Sequence, residues 1–149
     1  MTDFRFTLAS RCPKGGHPGN PNPGRTGILD VHPEDEITPC LVIRQVALPR
    51  DQKCKLRLVV SGDPYEAPGH SDFLLTAGVY SAGKTTWFKQ EVIDAGTPPV
   101  PENWKTLEYD LSAFAGQVVG IVVRVAAGGP KGLWANEEAF FDEISVLSE

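Results

Sequence analysis

The chain has 149 residues, a formal net charge of -5, 15 Gly and 13 Pro. That length suits one domain over 1–149 that folds without needing disulfides or metal. The acidic balance argues against a nucleic-acid partner, and no apolar run approaches the ~18 residues of a membrane span. Gly and Pro far above their usual ~12% work against long helices, and a 41% hydrophobic content is not that of a disordered chain.

Met1-Thr2-Asp3-Phe4-Arg5-Phe6 shows no basic segment followed by an apolar run, so no signal peptide is visible. Two readings are open: an intracellular protein, or a domain of a longer secreted one. Residues 12–27 (CPKGGHPGNPNPGRTG) have no apolar period and read as a long irregular loop. A short apolar patch, 28–32, is stopped by Pro33. Cys12, Cys40 and Cys54 are an odd set without C-x-x-C spacing, which argues against a zinc cluster and leaves any disulfide pairing open.

Residues 41–48 (LVIRQVAL) predict a strand and 49–53 a polar turn. In 55–61 (KLRLVVS), Leu56, Leu58 and Val60 alternate with Lys55, Arg57 and Val59, the pattern of a half-buried antiparallel strand. A Pro/Gly loop follows over 62–72, then strands over 73–80 and 86–93. Residues 78–85 spell G-x-x-x-x-G-K-T, a phosphate-loop spelling, with Phe140-Phe141-Asp142-Glu143 resembling the acidic strand that helps hold Mg²⁺. Thr85-Thr86-Trp87-Phe88 is a poor helix start, and no crossover helix fits between 95 and 141. Ser81-Ala82-Gly83-Lys84 is therefore read as a hairpin turn, with nucleotide binding kept as a third functional reading.

After a Pro-rich loop, 104–111 alternates with Leu107, Tyr109 and Leu111 on one face. Residues 112–116 (SAFAG) read as a tight connection of about one helical turn. In 117–126 (QVVGIVVRVA), Val119, Ile121, Val123 and Val125 share a face, and the β-branched content predicts a strand. A glycine loop precedes the last strand, 140–147. Period-two alternation groups Phe140 and Asp142 with core-facing Ile144 and Val146. A carboxylate on such a face needs a partner. Backbone N–H groups, an Arg, or a hard cation such as Ca²⁺ would each serve. The expectation is an all-β, antiparallel β-sandwich of seven or eight strands.

The run W-x-x-x-x-Y-D-L-S-A-F-A-G-Q-x-V from Trp104 to Val119, the β-branched strand, the glycine loop and A-F-F-D-E-I-S-V resemble galactose-binding-like jelly rolls, including carbohydrate-binding modules of bacterial secreted proteins. The resemblance implies a jelly roll, a carbohydrate ligand, an extracellular or cell-surface setting in a longer chain, and a structural calcium with Asp142 as a ligand. It also implies a turn at Asp110-Leu111-Ser112 and a positive φ at Gly116.

A sugar site needs an aromatic platform for the C–H face of the ring and fixed polar groups for its hydroxyls. Trp134, with Asn136, Glu137 and Glu138 close behind, fits that description. Trp87 and Tyr80 flank the Ser81–Lys84 turn as second candidates, and Arg124 could donate to hydroxyls from a sheet face. Trp104 reads as packing at a strand start. No spacing singles out a catalytic carboxylate pair, and His17, His32 and His70 sit in loops without metal-ligand spacing. The expected function is a non-catalytic carbohydrate-binding module with no organic cofactor. The alternative is a structural or protein-interaction sandwich.

Overall fold

A computed structural model describes residues 29–31, 33, 37–62, 73–93, 104–127 and 139–149. Among them are nine strands: β1 (Leu29–Val31), β2 (Cys40–Ala47), β3 (Cys54–Gly62), β4 (Phe73–Ser81), β5 (Lys84–Trp87), β6 (Glu91–Ile93), β7 (Lys105–Asp110), β8 (Val118–Ala126) and β9 (Ala139–Ser148). All their pairings are antiparallel. The first sheet has the order β1-β9-β3-β7, and the second has the order β2-β8-β4-β5, with β6 also pairing β4. The chain is an all-β sandwich.

The core is built by alternation. Leu56, Leu58 and Val60 of β3 point inward, as do Val119, Ile121, Val123 and Val125 of β8, and all are buried. Phe73, Leu75, Ala77 and Val79 of β4 complete the second sheet's inner face. Each large side chain so buried contributes about 1.5–3 kcal/mol over leaving it exposed.

Two bulges correct the predicted strands. Val59 faces Glu143 but Val60 faces Phe141, so β9 carries one extra residue, Asp142. The alternation is rephased there: Ala139 and Phe141 join Ile144 and Val146 in the core. Asp142 is therefore not one of the core-facing alternate positions that period two assigned to it. The 86–93 segment is likewise two strands. Gly78 faces Trp87 and Leu75 faces Glu91, so three steps along β4 match four along its partner. Phe88 falls in the break and turns inward to stack on Tyr109 of β7, ring centroids 4.9 Å apart at 20°.

The predicted turns form as expected. Ala82 (φ 50°) and Gly83 (φ 78°) join β4 to β5 through a two-residue turn with both φ positive, the hairpin type that matches strand twist. No helix follows it; Lys84–Trp87 is strand. Ser112 N donates to Asp110 Oδ1 at 2.8 Å, a single 3-10 turn spans Ser112–Phe114, and Gly116 has φ 75°. Gly116 N donates to Leu48 O at 3.1 Å, which ties this turn to the end of β2.

Tyr109 is placed at a cost. Its hydroxyl is buried and finds no hydrogen-bond partner among the described residues. Tyr109→Phe should therefore stabilise the protein by about 1 kcal/mol. Burial first, and the charge of Glu91 second, push the Tyr109 phenol up to about 12. The unfolded value is about 10, so between these limits the folded state keeps a proton the unfolded state has lost. Stability should fall as pH rises through that window, and the slope should be absent in Tyr109→Phe. Denaturant midpoints across alkaline pH check both points.

Candidate functional site

The outer faces of the two sheets differ in kind. On the first sheet, Lys55 Nζ lies 3.3 Å from carboxylate oxygens of both Glu108 and Glu149, and Arg57 Nε lies 3.7 Å from Glu143. The Ser145 hydroxyl donates to Glu143. The hydrogen bonds that Lys55 donates to Glu149 and Glu108 raise its pKa, and those from Ser112 hold the Asp110 carboxyl below its ordinary value. A shallow concavity there, lined by Lys53, Lys55, Glu108, Asp110, Ser112 and Glu149, holds charges of both signs. Such exposed pairs contribute about 0–1 kcal/mol each, and the two lysines and three carboxylates of the concavity leave a slight acidic excess.

The second sheet's outer face is almost uncharged. Its positions follow from register: Leu41, Ile43 and Gln45 on β2; Val118, Gly120, Val122 and Arg124 on β8; Leu74, Thr76, Gly78 and Tyr80 on β4; Thr85 and Trp87 on β5; Val92 on β6. Arg124 is the one charged residue among these. Leu41, Ile43, Tyr80, Trp87, Val92 and Val118 are all exposed.

Tyr80, Trp87 and Arg124, singled out in the sequence, thus come together on one face. The two-residue turn sets Gly78 opposite Trp87 and Tyr80 opposite Thr85. A Cβ on Gly78 would meet Trp87 Cε3 at 2.7 Å and Cζ3 at 3.2 Å, so the indole lies over the glycine. It is 46% exposed, and Tyr80 is 50% exposed. Gly120 lies opposite Tyr80 on the far side, and Arg124 lies between Thr76 and Leu41. Two glycines thus leave a low floor beside two open aromatic rings.

Trp134, Asn136, Glu137, Glu138, Cys12, His17, His32 and His70 lie outside the described residues. Asp142 is half-buried at the bulge and has a partner of its own. No group of three or more His, Cys, Asp or Glu able to hold a metal gathers among the described residues. Cys40 and Cys54 are free thiols, and burial raises the pKa of both. Trp104 is half-buried just before β7.

Sequence reasoning missed Gly78 and Gly120 as the floor of this face, and missed its aliphatic flank, Leu41, Ile43 and Val118. A signal existed: isolated glycines inside strands often mark a close approach. No family model and no curated protein matches the chain.

Proposed function

We propose that the chain is a non-catalytic carbohydrate-binding module of jelly-roll, galactose-binding-like type, part of a larger secreted or surface protein. Its ligand meets the outer face of the second sheet at Trp87 and Tyr80. The observation that carries this reading is the pair of solvent-open aromatic rings on a sheet face whose one charged described residue is Arg124, with the Trp87 indole seated over Gly78. Such rings offer the apolar body on which the C–H face of a pyranose stacks. Arg124, Thr85 and Gln45 supply donors and acceptors for hydroxyls on the same face. The strand order supports the jelly-roll part, because the β1-β9-β3-β7 and β2-β8-β4-β5 sheets are filled by a chain that crosses repeatedly from one to the other.

Affinity electrophoresis in gels containing common polysaccharides, or a glycan array, tests the proposal. Wild-type protein should be retarded by at least one glycan. Trp87→Ala and Tyr80→Ala should each weaken that binding about tenfold or more. Trp134→Ala in the same gels tests the contribution of Trp134, Asn136 and Glu137. Binding to no glycan would overturn the proposal.

A second reading, a protein-interaction domain, is favoured by Leu41, Ile43 and Val118. Exposed aliphatic side chains gathered on one sheet face are a common mark of protein contact. It predicts that glycan binding is absent and that the face is covered in a complex.

A further inference from the structure

Resting on the carbohydrate reading, we infer that the ligand is the exposed face of a packed, uncharged polysaccharide rather than a single dissolved chain. A dissolved oligosaccharide carries water on every hydroxyl, and each one it buries without a partner costs about 1–3 kcal/mol. Sites for such ligands are concave and hold several converging polar groups. The outer face of the second sheet is built differently. Its polar side chains at described positions are Gln45, Thr76, Thr85 and Arg124, spread over four strands, and Thr76 is buried.

The apolar side chains have the opposite distribution. They are exposed on every strand of the sheet except β8's centre: Trp87 on β5, Tyr80 on β4, Val92 on β6, Val118 at the start of β8, and Leu41 and Ile43 on β2. Strands lie about 4.8 Å apart, so the span from β5 across β4 and β8 to β2 is about 14 Å. That is wider than one sugar ring. Between Trp87 and Ile43 the row runs through Gly78 and Val122, so no long side chain stands between them.

A packed polysaccharide answers both features. Its hydroxyls are already hydrogen-bonded to neighbouring chains, so binding leaves few unsatisfied, and its C–H faces repeat laterally over several chains. Leu41, Ile43 and Val118 then extend the platform begun by the aromatic rings. Charge agrees: the chain carries -5 overall, yet among the described positions of this face Arg124 is the one charged residue, which suits a neutral polymer better than a polyanion or polycation.

The test compares solid with soluble forms of the same linkage, using the full chain. Partition onto microcrystalline cellulose and chitin powder is measured beside calorimetric titration with cello- and chito-oligosaccharides. The expected result is retention on at least one solid, undiminished in about 1 M salt, with oligosaccharide affinity weaker by about a hundredfold or more. Ile43→Ser, a substitution at an exposed position, should cut the partition about fivefold or more, as should Trp87→Ala, with thermal melts showing both variants folded. Oligosaccharides that bind as tightly as the solid, or an Ile43→Ser protein that partitions like wild type, would overturn this inference while leaving carbohydrate binding intact. Binding to neither form, solid or soluble, would overturn this inference, and the carbohydrate reading falls with it where the glycan array is blank as well.

Discussion

Deleting Asp142 should abolish cooperative folding, whereas Asp142→Ala should cost only about 1 kcal/mol. The difference lies in phase, not chemistry. Asp142 is the extra residue of the β9 bulge, with Glu143 held opposite Val59 and Phe141 opposite Val60. Removing it restores strict alternation, and one half of β9 must then turn over. Either Ile144 and Val146 leave the core while Glu143 and Ser145 enter it, or Ala139 and Phe141 leave. Ejecting two buried apolar side chains forfeits about 1.5–3 kcal/mol each, and burying the unpaired carboxylate of Glu143 costs more still. By the first route the sum passes about 5 kcal/mol, the lower end of what such domains have to lose; by the second, Phe140 replaces Phe141 in the core and the pairing of β9 with β1 is put out of phase. β9 is also an interior strand between β1 and β3, so its error cannot stay at an edge. Thermal melts followed by near-ultraviolet circular dichroism check the pair. A deletion variant that melts like wild type would show that the bulge does not set the phase of β9.

The same bulge marks the limit of what the sequence made legible. Where one apolar series alternates cleanly, as in Leu56, Leu58 and Val60 or in Val119 to Val125, the buried face was read correctly. Phe140 and Phe141 are adjacent and both buried, so alternation cannot choose between them, and the choice made from Ile144 backward was the wrong one. Turns were legible because their chemistry is local: Ala82-Gly83 and Asp110 to Gly116 each fix their own backbone. The site was legible in part for the same reason. A two-residue turn between Ser81 and Lys84 dictates that Trp87 faces Gly78, by counting outward along the hairpin. Nothing local brings Arg124 to Thr76, or Ile43 to the same row as Gly78, because those pairings join segments far apart in the chain. Alternation also tells inside from outside but not which outside is left open. That is why a charged outer face on one sheet and an apolar one on the other emerged only from the fold.

Gly78→Val should destabilise the protein by about 2–3 kcal/mol, while Gly120→Ala, a neighbour on the same face, should be neutral or slightly stabilising. At Gly78 a Cβ would come within 2.7 Å of the Trp87 ring and 2.9 Å of the Thr86 carbonyl oxygen. The ring can swing away, but the carbonyl belongs to the β4–β5 ladder and moves only with the strand. At Gly120 the nearest atom to an added Cβ is Tyr80 Cβ at 3.4 Å, an ordinary contact. A side chain there would gain packing that glycine lacks. The two halves of the Gly78 penalty can be separated by a double-mutant cycle. In a Trp87→Ala background the ring clash is gone and only the carbonyl clash remains, so Gly78→Val should cost measurably less than in wild type. If the ring lies over Gly78 as a platform, Gly78→Val should also change Trp87 fluorescence and weaken glycan retention, and Gly120→Ala should leave the fluorescence unchanged. Equal costs in both backgrounds would mean that the indole does not rest on Gly78, and the platform would have to be sought elsewhere on the sheet.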